Sequence, residues 1–172
     1  MMADNEQQLY IGIDLNDSYA MVSFATTTHL EPETVSSVAG SEMFQIPLAV
    51  CMAASSGQWV YGDEAIRFGK ADMGRCEAGL LSRSLERDFT IIENQTYEVR
   101  MLLAIFLKKI LLLAGKLGPK IEIGKVVFAF EKLNDKLMEL MEYVFAQLPV
   151  ARRKITVLDY MESFYYYALN QK

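Results

Sequence analysis

Two short apolar runs, residues 9–15 and 19–25, flank a polar turn near the start of the chain. They read as two strands of a hairpin. Asn16-Asp17 between them suits a tight turn, since both residue types tolerate positive φ. Residues 26–41 are polar, with Pro32 and Gly40, and read as a loop. Residues 45–52 read as a third strand, with Pro47 near its start or on a sheet edge. Residues 58–61 form a short fourth strand after the turn at Ser55-Ser56-Gly57. Residues 62–70 read as a helix whose Asp63 and Glu64 favour its N-terminus through the macrodipole. The first residues, up to 8, read as a flexible leader, and 72–96, mixed and charged, as a small insertion.

The second half changes period. Residues 97–117 read as a long helix stopped by Gly118-Pro119. Residues 125–130 are a continuous apolar run, the pattern of a strand buried on both faces. Leu133, Leu137, Leu140, Met141, Val144 and Leu148 then repeat at helical spacing, with Asn134 or Asp135 as the cap. Residues 154–158 read as a last strand and 159–170 as a last helix. Strands first, then helix, strand, helix, strand, helix, predict an α/β fold. Its mixed sheet is antiparallel on one side, parallel on the other, and carries helices on both faces.

Composition narrows the function classes. A chain of 172 residues suffices for one domain with a core. A net charge of −5 argues against a nucleic-acid partner. The basic clusters Lys108-Lys109 and Arg152-Arg153-Lys154 read as solvated faces. His29 is the only histidine, which leaves no Ser-His-Asp or Cys-His site and no zinc site. Cys51 and Cys76 have neither metal spacing nor a Cys-x-x-Cys arrangement. With no signal peptide in view they read as free thiols in a reducing cytoplasm. The most apolar stretch, 99–114, is broken by Lys108-Lys109 into runs well short of the roughly 20 residues that span a bilayer. It reads as a core helix, and no membrane partner is expected.

Asp14 is the candidate for chemistry. A lone carboxylate after Ile11-Gly12-Ile13 would cost several kcal/mol, roughly, to bury without a partner. A bound Mg²⁺ or phosphate network is one partner, since hard cations prefer oxygen ligands. Backbone N–H groups of its own turn are another.

Five segments in order resemble a known superfamily. Ile11-Gly12-Ile13-Asp14-Leu15 resembles the first phosphate motif of the seventy-kilodalton heat-shock chaperones. Ile46-Pro47-Leu48-Ala49-Val50 resembles their proline-led third strand, and Val60-Tyr61-Gly62-Asp63-Glu64-Ala65 their Val-Gly-Asp-x-Ala segment. Phe130-Glu131-Lys132-Leu133-Asn134-Asp135 resembles the chaperones' Tyr-Phe-Asn-Asp and actin's Pro-Leu-Asn-Pro. Residues 155–167 resemble the segment that ends the first lobe. The chain thus resembles the ribonuclease-H-like half, the N-terminal lobe, of an actin-like or heat-shock-chaperone ATPase domain. The resemblance implies a five-stranded mixed sheet, residues 9–172 as a single lobe, and a second lobe absent from this chain.

It further implies ATP and Mg²⁺ as cofactors of the two-lobed parent. Asp14 would hold the metal, Asn16, Asp17 and Ser18 would form the phosphate turn, and Asp159 would orient the attacking water. Asp159 also reads as an N-cap of the last helix. The family's turn carries small and hydroxyl residues where this chain has Asn16-Asp17-Ser18, and Asp17 adds a negative charge near any polyphosphate. Arg83 or Arg87 lies in about the region of the chaperones' catalytic lysine. Three functions follow as expectations. The first is an ATP-binding lobe with weak or lost hydrolysis. The second is a non-catalytic actin-like assembly scaffold of the cell-division or pilus type. The third is a ribonuclease-H-like nuclease in which Asp14, Glu131 and Asp159 converge on metals. The expected partners are the second lobe and a protein client or assembly partner. Some rings of Phe164-Tyr165-Tyr166-Tyr167 would pack inside and others face the second lobe, with at least one exposed.

Overall fold

A computed structural model of the chain describes residues 7–38, 40–114 and 121–170. Its main sheet is built from β1 (Gln8–Leu15), β2 (Tyr19–Thr26), β3 (Glu33–Thr34), β4 (Ile46–Pro47), β10 (Glu122–Phe130) and β11 (Ile155–Asp159). The order is β11-β10-β1-β2-β3, with β4 also paired to β2. β1 runs antiparallel to β2 and parallel to β10, and β10 runs parallel to β11. The protein is therefore mixed α/β, with antiparallel pairing on one side of β1 and parallel pairing on the other. Six strands rather than five make up the sheet, because the polar loop after β2 adds the two-residue β3 and because β4 returns to β2.

The apolar run at 45–52 is not one strand. Ile46-Pro47 pairs with β2, whereas β5 (Ala49–Ala53) lies in the middle of a second sheet between β6 (Trp59–Tyr61) and β7 (Gly74–Ala78). Leu48 alone joins the two sheets; it is buried, and its N–H donates to the Ser18 carbonyl at 2.9 Å. α1 spans Gly62–Lys70, as the pattern predicts, and packs on the second sheet. Gly62 enters it at φ +59°, and a side chain there would meet Ile46.

The segment expected as an insertion is integral to the fold. Within it β7 pairs with β5, and α2 (Leu80–Leu85) places Leu80 and Leu81 in the core. β8 (Phe89–Ile92) and β9 (Gln95–Glu98) form a hairpin whose turn, Glu93-Asn94, takes positive φ at both residues. The long helix α3 therefore starts later than residue 97, at Val99, and runs to Ala114. The expected Gly118-Pro119 stop lies outside the described residues, as does the leader up to residue 6; Gln8 already belongs to β1.

Cys51 and Cys76 are not free thiols. The β5–β7 register sets them directly opposite, and they form a disulfide. Sequence spacing does not reveal a pairing that depends on strand register.

One core face dominates. Leu9, Ile11, Ile13 and Leu15 of β1 and Val126, Phe128 and Phe130 of β10 pack with Leu102, Leu103, Phe106, Leu107 and Ile110 of α3. Leu137, Leu140, Met141, Val144 and Phe145 of α4 (Asp135–Phe145) complete it. α4 starts at Asn134, whose side chain accepts from the Leu137 N–H. The opposite face departs from the expectation of helices on both sides. Gly12, Asp14, Val127, Ala129, Thr156 and Leu158 are half-buried and Tyr10 is exposed. β10 alternates accordingly and is not buried on both faces. Among the described residues, only the end of this face is reached by a helix, α5 (Tyr160–Asn170), through Tyr160.

Candidate functional site

The β1–β2 turn is held by side chains rather than by left-handed backbone. The Asn16 amide oxygen accepts from the N–H groups of Ser18 (2.9 Å) and Tyr19 (3.0 Å). This Asx turn satisfies two backbone donors locally. Neither Asn16 nor Asp17 has positive φ. The Asn16 N–H donates to the Tyr19 carbonyl at 3.1 Å, which closes the turn around Asp17 and Ser18.

Asp17 is turned to α2. Its carboxylate accepts from the Ser82 N–H at 2.8 Å and from the Ser82 hydroxyl at 3.1 Å. Ser82 is the third residue of α2, whose own cap, Gly79, brings no side chain. A carboxylate from 65 residues away thus caps the helix and sits where its macrodipole favours negative charge. Ser18 takes part through its carbonyl, which receives Leu48 N–H, while the residue itself is exposed.

Asp14 ends β1, half-buried on the open face. The Tyr160 phenol donates to it at 2.5 Å, a charge-assisted hydrogen bond. Burial first, and then this bond, push the Tyr160 phenol well above its ordinary value; the nearby Glu131 carboxylate acts in the same direction. Among the described residues, the turn that follows Asp14 gives its carboxylate no hydrogen bond. A residue 146 positions away does.

Asp159 has a different task. Its carboxylate accepts from the Glu162 N–H at 2.8 Å, and Glu162 accepts in return from the Asp159 N–H at 3.1 Å. This is a reciprocal capping box at the start of α5. Register also separates the two aspartates. Asp14 pairs with Ala129, which pairs with Leu158, all on the open face; Asp159 pairs with Phe130 on the core face. Glu131 follows Phe130 and is exposed. The three strand-end carboxylates therefore do not meet, and no three His, Cys, Asp or Glu side chains among the described residues could share a metal ion.

The arginines considered beside the lysine position are also engaged. Arg83 binds the buried Glu77 at 2.5 Å and Asp88 at 2.7 Å, and Glu77 takes a further hydrogen bond from Thr90. Arg87 pairs with Glu139 at 2.6 Å. A cleft of about 550 Å³ lies away from Asp14, among Arg87, Arg100, Lys136, Glu139 and Tyr143. There Arg100 stacks on Tyr143 and pairs with Glu98. Sequence reasoning missed Tyr160 and Ser82. The one available signal for Tyr160 is its place directly after a strand that runs parallel to β10.

No helix among the described residues is long and apolar enough to cross a membrane. Comparison with curated proteins finds no match. A family model does match, over residues 31–172, which is most of the chain. The protein belongs to the family described as "Family of unknown function (DUF5716) C-terminal".

Proposed function

We propose that this chain is an actin-like, ribonuclease-H-like lobe that serves as a non-catalytic assembly scaffold. The observation that carries the reading is the state of the three acidic candidates. Asp14 is engaged by Tyr160, Asp17 by Ser82 and Asp159 by the Glu162 N–H. A hydrolytic site needs at least one carboxylate free for Mg²⁺ and another aimed at water. Supporting the lobe assignment is the strand order β11-β10-β1-β2-β3, with its change from antiparallel to parallel pairing at β1. Its partners would be the second lobe of a longer parent and an assembly partner. The Cys51–Cys76 bond removes the free-thiol argument for a reducing cytoplasm, since such bonds persist where conditions are oxidising.

A second reading, an ATP-binding lobe with weak or lost hydrolysis, rests on topology. β1 leads to β2 on one side while β10 leads to β11 on the other. Ligands of open α/β sheets bind at such a switch point, outside the carboxyl ends of the strands. Asp14 and Glu131 stand there. Calorimetric titration with Mg-ATP separates the readings. The scaffold predicts no saturable heat at millimolar nucleotide. Saturable binding that is lost in Asp14→Asn would replace it with the nucleotide reading.

A further inference from the structure

The Cys51–Cys76 bond lies where a reductant reaches one of its sulfurs and not the other. β7 is an edge of the smaller sheet, in the order β6-β5-β7, and Cys76 on it is half-buried. Cys51, on the central strand, is fully buried. The two residues stand directly opposite in a ladder that runs from Ala49↔Ala78 to Ala53↔Gly74, so strand pairing holds β7 on β5 without the covalent bond. The surroundings also suit thiols. The Ala65 carbonyl oxygen of α1 lies 3.4 Å from the Cys76 sulfur, and the Met52 carbonyl oxygen 3.9 Å from the Cys51 sulfur. Each S–H of a reduced pair thus has an acceptor in reach, and the fold has room for both redox states.

We propose that Cys51–Cys76 is a redox-sensitive switch opened by a dithiol reductant, and that opening it releases Asp17 from α2. The first thiolate of the dithiol attacks Cys76 Sγ. The S–S bond breaks, and its electron pair goes to Cys51 Sγ, which takes up a proton. The second thiolate attacks the reductant's own sulfur in the mixed disulfide. Cys76 then leaves as a thiolate and is protonated, and the reductant departs as a cyclic disulfide. Two electrons and two protons have passed to the protein. Unbonded sulfurs need more room than bonded ones. Cys51 cannot supply it, because β5 has a strand on each side, so the edge strand β7 moves. Two links carry that movement to α2. β7 runs through Gly79 straight into the helix, and Glu77, next to Cys76, binds Arg83 of α2. Ser82 of α2 holds the Asp17 carboxylate through its N–H at 2.8 Å. That contact is exposed, so a small shift of α2 breaks it before any core contact. This proposal does not rest on the nucleotide or scaffold readings.

Two-dimensional amide NMR on the chain, with dithiothreitol as the dithiol, tests it. Dithiothreitol should produce two titratable thiols while the spectrum stays dispersed. The Ser82 amide proton should move most of the way to its position in Asp17→Ala, where no carboxylate holds it. In Cys51→Ala/Cys76→Ala it should sit there from the start and ignore dithiothreitol. Exchange into oxidised glutathione should return the wild-type spectrum. α5 is no reporter, since Phe164, Tyr165, Tyr166 and Tyr167 are all exposed and none packs inside. A bond that resists dithiothreitol in the folded chain overturns the proposal. So does loss of dispersion on reduction, which marks a bond that only holds the fold together. A Ser82 amide unmoved in a folded, reduced chain overturns it too, as does failure to return on reoxidation. Should either variant fail to fold, the wild-type chain decides alone. Its Ser82 amide should exchange with deuterium at least about tenfold faster when reduced, and equal rates in the two states overturn the proposal.

Discussion

The Tyr160 phenol and the Asp14 carboxylate are joined by a 2.5 Å hydrogen bond that links the last helix to the first strand. A hydrogen bond to a charged group contributes about 1.5–3 kcal/mol, less where water competes. Tyr160→Phe is therefore expected to cost about 1–2 kcal/mol, read from denaturant unfolding. The pH dependence has a definite sign. The folded value of Tyr160 lies above the ordinary 10.0. The contact thus contributes fully below pH 10 and is lost as pH rises through the folded value. Spectrophotometric titration should show a tyrosine component ionising above the ordinary 10.0, and Tyr160→Phe should diminish that late component.

Asp17 is a helix cap in this structure, and its removal should behave as such. Asp17→Ala is expected to lower stability by about 1 kcal/mol, the usual size of a lost N-cap. Ser82→Ala keeps the stronger backbone contact and should cost less. Equal melting temperatures for Asp17→Ala and the parent would contradict the assignment.

Reduction of the Cys51–Cys76 bond, which closes a separation of 25 residues, should destabilise the fold by roughly 3 kcal/mol. Differential scanning calorimetry with and without a phosphine reductant measures this. The unreduced native protein should show no titratable thiol, and two reactive thiols would refute the pairing.

Acid should loosen three surface contacts together. Lys154 holds Glu122, Arg152 holds Glu142, and Arg83 holds Asp88, each by a hydrogen bond that lowers the carboxylate below its usual value. A depressed carboxylate contributes above its unfolded value, here 3.8 to 4.5, and stops contributing as pH falls through the lower folded value. Melting temperature should fall as pH drops below about 4.5, and by less in Glu142→Gln than in the parent. All three pairs are exposed enough for salt to weaken the effect.

Legibility followed the range of the interactions. α1 was readable over its full length from Asp63, Glu64 and the glycine before them, and the hairpin β1–β2 from two apolar runs flanking a polar turn. Asp159 as an N-cap was readable because Glu162 stands three residues on. The break at Leu48 was not, since the apolar run is uniform and the change of partner from β2 to β7 is tertiary. The Cys51–Cys76 pairing needed strand register. Asp17 with Ser82 and Asp14 with Tyr160 needed residues 65 and 146 positions apart. The candidate site depended most on such distant partners, and it is where local reading diverged most from the structure.

Residues 16–18 are clamped from three directions: Asn16 ties the loop to itself, Asp17 to α2, and the Ser18 carbonyl to Leu48. Such a loop cannot fold over a small molecule while those ties hold. Displacing α2, or shifting the one-residue bridge at Leu48, would pull directly on the end of β1. The loop is thus a mechanical junction, where strain arising in the smaller sheet is delivered to the root of the aromatic helix through Asp14 and Tyr160.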